Sequence, residues 1–136
     1  MKTLVLALCA LPLMGSAAFA GDAAVGEADF KKCKACHSVT AADGTVIQKG
    51  GKTGPDLGGV IGRQVGSVED FRYGDSIVAA GEAGAVWDEE SFAAYITDPK
   101  AWLIEVTGDD GAKTKMTYKH KKGAEDMAAY FVSLSE

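Results

Sequence analysis

A chain of 136 residues, 47% hydrophobic and 24% charged, can bury one ordinary core but not two. Its 19 acidic against 14 basic residues give a formal charge of −5, which argues against nucleic acid as a partner. Beyond the first 20 residues no segment approaches the roughly 18 consecutive apolar residues of a membrane span, so a soluble protein without a membrane anchor is expected.

Lys2 precedes an apolar run from Leu4 to Met14, and small residues then end in Ala18-Phe19-Ala20. This is the pattern of a secretory signal peptide cleaved after Ala20, so residues 1–20 should be removed and residues 21–136 should form a single periplasmic domain. Leu8 stands before Cys9 where a lipoprotein cleavage site wants a small residue, so no lipid anchor is expected. Loss of Lys2 takes the formal charge from −5 to −6.

The first helix should begin after Asp22, a suitable N-cap, and run to about Cys33, with Gly26, Phe30 and Cys33 on one face. Residues 38–66 are glycine-rich with little periodicity, and no strand pattern is convincing; they read as loop wrapped around something. A second helix is predicted from about Asp88 to Thr97, with Asp88, Glu89 and Glu90 at the positive end of its dipole. Asp98-Pro99 reads as an N-cap followed by proline at the first helical position, opening a short helix that stops near Gly108. Met127, Tyr130, Phe131 and Leu134 share one face of a last helix, Ala124 to Leu134. Four short helices and long loops bury little apolar surface for a domain of this size, so a non-protein group is expected to complete the core.

Cys33-Lys34-Ala35-Cys36-His37 is a C-x-x-C-H motif at the end of the first helix. Two cysteines three residues apart can each form a thioether with one vinyl group of the same porphyrin, and the histidine that follows is then held beneath the iron. A redox dithiol would sit in a strand-helix context that is missing here. A structural zinc site would need further ligands, and only His120 remains in the mature chain. The motif therefore predicts one covalent haem c with His37 as axial ligand.

Met116, Met127, His120 and the lysines are the candidates for the sixth position on the iron. Met127 lies on the apolar face of the last helix, where methionine ordinarily fills core. Met116 lies in a polar stretch, Lys113 to Tyr118, where coordination would justify an apolar residue. His120, among Lys119, Lys121 and Lys122, reads as a solvated surface residue.

Basic residues fall in two windows, Lys31 to Lys52 and Lys113 to Lys122, which together contain one acid, Asp43. A fold that joins them would carry one basic face.

The sequence resembles the class I cytochromes c, most closely the larger bacterial cytochrome c-two type, which is similar to mitochondrial cytochrome c. The resemblance is carried by Gly26 and Phe30 before the haem motif, Lys52-Thr53-Gly54-Pro55-Asp56-Leu57, Gly62-Arg63, Phe71-Arg72-Tyr73, Trp87-Asp88-Glu89-Glu90, Tyr95 with Asp98-Pro99, Thr114-Lys115-Met116 and Ala129-Tyr130. It departs from the short mitochondrial pattern by extra residues near 81–85 and 108–111, and by Tyr118 where short members have phenylalanine.

The resemblance implies an all-α fold of four or five short helices and glycine-rich loops around one haem. It implies that the Pro55 carbonyl accepts a hydrogen bond from His37, and that Arg63, Tyr73 and Trp87 surround the haem propionates. Tyr95 would then lie near the Met116 sulfur, Thr114 would close the same side, and Gly26 and Phe30 would pack on Tyr130. It further implies a monomeric electron carrier, not an enzyme. Such a carrier takes electrons from a quinol-oxidising cytochrome complex and gives them to a terminal oxidase or photosynthetic reaction centre. Docking would use Lys32, Lys34, Lys52, Lys115, Lys119, Lys121 and Lys122. The rival reading is a haem enzyme or gas-binding cytochrome with a labile sixth ligand.

Overall fold

The computed structural model describes residues 21–136, so the expected signal peptide lies outside the described residues. Helix α1, Ala23–Asp29, starts where Asp22 accepts hydrogen bonds from the N–H groups of Ala24 and Val25. It then tightens into a 3-10 turn, Phe30–Lys32, that leads into Cys33. The helix predicted to run unbroken to Cys33 thus changes pitch one turn early, as helix ends commonly do.

The glycine-rich segment holds a small antiparallel hairpin, β1 (Val39–Thr40) with β2 (Val46–Gln48), which the sequence did not announce. Strands of two and three residues are too short to display an alternating pattern. Helix α2, Asp75–Glu82, was also missed: its N-cap is Gly74, which offers no side chain, and Ala80 and Gly81 are its buried residues.

The remaining helices follow their end signals. Helix α3, Glu89–Thr97, has Asp88 as N-cap in a reciprocal capping box with Ser91. Helix α4, Pro99–Thr107, is capped by Asp98 and stops at Gly108, whose φ of 69° lies in the left-handed region. Helix α5 is Ala124–Leu134. Among the described residues no helix is long and apolar enough to cross a membrane.

Helix α1 crosses α5 at Gly26, where the backbones approach so closely that a Cβ would fall 2.1 Å from the Asp126 carbonyl oxygen. Phe30 fills the space beside that crossing, its ring 6.3 Å from Tyr130 and 5.9 Å from Phe131 between centroids. Phe92 joins α3 to this group at 5.1 Å from Phe131, and Trp87 stacks on Trp102 at 5.1 Å. Met127 is fully buried in the same core. These aromatics form one side of a hollow rather than a closed centre.

Candidate functional site

The hollow is a cavity of about 500 Å³, and all ten residues singled out from the sequence as cofactor or iron contacts line it. Cys33, Cys36 and His37 enter from the end of α1, where the N–H groups of Cys36 and His37 both donate to the Cys33 carbonyl, at 3.1 and 2.9 Å. This tight turn presents both thiols and the imidazole to the same space. Burial pushes the Cys33 thiol up to about 11.

The His37 Nδ1 lies 2.7 Å from the Pro55 carbonyl oxygen. A carbonyl can only accept, so Nδ1 carries the proton and Nε2 of the neutral ring is left with its lone pair. Burial holds the His37 pKa below its ordinary value, opposed by the Pro55 hydrogen bond and the Asp56 charge. A Cβ on Gly54 would come within 2.3 Å of His37 Cε1, so this position needs glycine for the ring to lie flat against the loop.

Met116 is half-buried and lines the same cavity. The Thr114 hydroxyl accepts from the Met116 N–H at 3.1 Å and donates to its carbonyl at 3.0 Å, which fixes the backbone that carries the thioether. Burial raises the Tyr95 phenol, and its interaction with Thr114 opposes that shift.

Arg63, Tyr73 and Trp87 line the cavity as well. Arg63 donates to the carbonyls of Gly58 (3.0 Å) and Asp56 (3.1 Å), yet it makes no ion pair with a carboxylate among the described residues. The Tyr73 hydroxyl accepts from the Val68 N–H at 3.1 Å. The Asp56 charge acts on the half-buried Arg63 without forming an ion pair with it, so the guanidinium is left able to take an anionic group in the cavity. Apolar walls, a histidine with a free lone pair, two thiols in one helical turn and an arginine able to take an anion together fit a haem with its propionates on the Arg63 side.

His120 is not where the sequence put it. Its side chain is 3% exposed and lines the cavity, because its N–H donates to the Ile96 carbonyl at 2.7 Å and draws the residue inward between flanking lysines that face out. The sequence reading also gave no role to Asp56, Ser38 and Thr40, which form a hydrogen-bonded group behind His37. Their pairing spans 16 to 18 residues and leaves no periodic trace.

The seven lysines assigned to docking are all exposed, and Lys52 and Lys115, one from each window, both line the cavity. Two of them are already paired, Lys32 with Asp29 at 3.1 Å and Lys119 with Asp98 at 2.8 Å.

No family model matches the chain. Individual proteins do. Cytochrome c2 of Rhodobacter capsulatus is 52% identical over 132 residues, covering 97% of this chain and 96% of that protein. Cytochrome c-550 of Paracoccus denitrificans is 50% identical over 135 residues, covering 98% of this chain and 85% of that protein. The solved structure of Rhodobacter capsulatus cytochrome c2 matches this fold with a TM-score of 0.83 at 54% identity, over 85% of this chain and 100% of that one. Sequence identity at this level over nearly the whole length, with a matching fold, means that the chain belongs to the cytochrome c2 and c-550 family of class I c-type cytochromes, electron-transfer proteins that carry one covalently bound haem c.

Proposed function

We propose that the chain is a monomeric periplasmic carrier that takes single electrons from a quinol-oxidising cytochrome complex and passes them to a terminal oxidase or a photosynthetic reaction centre. On this reading residues 1–20 are a signal peptide, and 21–136 are the mature domain. The haem, when bound, supplies one reversible electron through the Fe(III)/Fe(II) couple.

The observation that carries the reading is that Cys33, Cys36, His37, Met116 and Arg63 all line one cavity. Cys33 and Cys36 tether the group as thioethers, so it cannot be lost after export. His37 Nε2 and the Met116 sulfur would hold the iron, and with both ligands supplied by this chain no position would remain for a substrate. Arg63, Tyr73 and Trp87 lower the cost of burying propionates, while Tyr95 and Thr114 hold the methionine side.

The lysines Lys32, Lys34, Lys52, Lys115, Lys119, Lys121 and Lys122 steer the protein onto acidic docking surfaces. Supporting this is the exposure of all seven and the place of Lys52 and Lys115 in the cavity lining.

Ferric absorption in the near infrared tests the axial assignment, since iron–methionine bonding produces a weak charge-transfer band there. Met116→Ala is expected to abolish the band and open the iron to carbon monoxide. Met127→Ala is expected to keep the band and lose about 2–5 kcal/mol of stability, the cost of truncating a buried methionine. The opposite pattern would move the ligand from 116 to 127.

A further inference from the structure

The Pro55 carbonyl sits in a loop without regular secondary structure. A carbonyl there keeps its place against an imidazole only if the loop itself is fastened. Asp56 is the fastening. Its Oδ1 accepts from the Thr40 N–H at 3.0 Å and the Gly58 N–H at 2.7 Å. Its Oδ2 accepts from the Ser38 hydroxyl at 2.9 Å and the Thr40 hydroxyl at 2.6 Å.

The position of this clamp is informative. Ser38 follows His37 in the chain and Asp56 follows Pro55, so the carboxylate closes a ring one residue beyond each end of the His37–Pro55 hydrogen bond. The Leu57 N–H adds a bond to the Ser38 carbonyl at 2.9 Å. Arg63 grips the same loop through the carbonyls of residues 56 and 58. Strand and loop touch directly, since a Cβ on Gly58 would lie 1.7 Å from the Thr40 carbonyl oxygen.

The carboxylate also brings charge. No cation forms an ion pair with Asp56 among the described residues. Burial works against its ionisation, but the bonds from Thr40, Gly58 and Ser38 prevail and keep the carboxyl below its ordinary value. A full negative charge therefore stands behind His37. A firmly held Nδ1–H bond makes the imidazole a stronger donor, and a nearby anion favours the more positive iron state; both act toward Fe(III).

We infer that Asp56 is a positioning residue of the electron-transfer site, which holds the Pro55 carbonyl on His37 and uses its charge to lower the reduction potential. The inference rests on the reading of His37 as an axial ligand.

The test uses the matured, haem-bearing protein. Asp56→Asn keeps an acceptor for the Thr40 and Gly58 N–H groups, and the two hydroxyls can turn to accept from its amide, so the clamp stays while the charge goes. Asp56→Ala removes both. Redox titration is expected to give a higher midpoint potential for both variants, shifting the ferrous-to-ferric ratio at fixed applied potential by about threefold or more. Solvent exchange of the His37 Nδ1 proton, followed by NMR in the ferrous protein, should stay at the parental rate in Asp56→Asn and quicken by about tenfold in Asp56→Ala.

If Asp56→Ala does not mature, Ser38→Ala and Thr40→Val each delete one hydroxyl donor and should accelerate exchange by smaller steps. A parental potential in Asp56→Asn, or parental exchange once the clamp is cut, overturns the inference. Failure of the underlying reading looks different: His37 ring protons would then show no hyperfine shift in the ferric protein.

Discussion

His120 precedes α5 with its imidazole turned inward, Nδ1 3.1 Å from the Tyr118 hydroxyl and Nε2 3.9 Å from an Asp29 carboxylate oxygen. That second distance is too long for a hydrogen bond. Among the described residues Nε2 is the one buried side-chain nitrogen or oxygen without a partner. Leaving such an atom unpaired costs about 1–3 kcal/mol, whereas an apolar side chain of similar size carries no such penalty. His120→Leu is therefore expected to raise the thermal midpoint of the holoprotein, by about 1 kcal/mol in stability. Tyr118, 42% exposed, returns its hydroxyl to water at little cost. A fall in the midpoint would mean that Asp29 and a protonated His120 form a stabilising pair. Met116 differs in kind: it is only partly buried against the core, and Thr114 holds its backbone through two hydrogen bonds.

Between elements, two contacts decide the geometry. The α1–α5 crossing depends on the missing side chain of Gly26: a Cβ would also come within 2.9 Å of the Tyr130 Cβ. Gly26→Ala must push the helices apart, and overpacking of this kind costs about 1–3 kcal/mol. Chemical denaturation of the holoprotein should show it as a lower midpoint; an unchanged midpoint would mean that the crossing can slide. The second contact joins β1 to the loop through Asp56. A carboxyl whose folded pKa lies below its ordinary value of 3.8 adds stability above that value and loses it as pH falls through the folded pKa. Asp56→Asn should thus be less stable than the parent at neutral pH, and the gap should close as the solution is acidified below about pH 4. Thermal melts across that range read the convergence, and a gap independent of pH would assign the loss to geometry alone.

At the scale of the molecule, charge is unevenly spread. The net charge is −5, yet 10 of the 14 basic residues fall in two windows, and each window places lysine beside the cavity, Lys52 from the first and Lys113 and Lys115 from the second. An acidic protein with a basic face orients in the field of an acidic partner before contact. Electron transfer to such a partner should slow as salt is added through the range where the Debye length falls from roughly 30 Å at 0.01 M to 10 Å at 0.1 M. Stopped-flow rates indifferent to ionic strength would remove the docking role of the lysines and leave the haem site untouched. Lys119 and Lys32, already engaged with Asp98 and Asp29, should contribute less to that slope than Lys52 or Lys115.

Whatever depends on neighbours in the chain was written in the sequence. Cys33, Cys36 and His37 lie within five residues, and Asp22, Asp88, Asp98, Pro99 and Gly108 mark helix ends through bonds that reach only three or four positions. The face of α5 follows from a 3.6-residue period. Helix α2 carried no such signal, since a glycine caps it and small residues form its buried side. Burial of His120 and the clamp around Asp56 were decided by tertiary structure alone. The first is set by a backbone bond to Ile96 in helix α3, the second by groups 16 to 18 residues away, and a local pattern cannot encode partners that only the folded chain brings together.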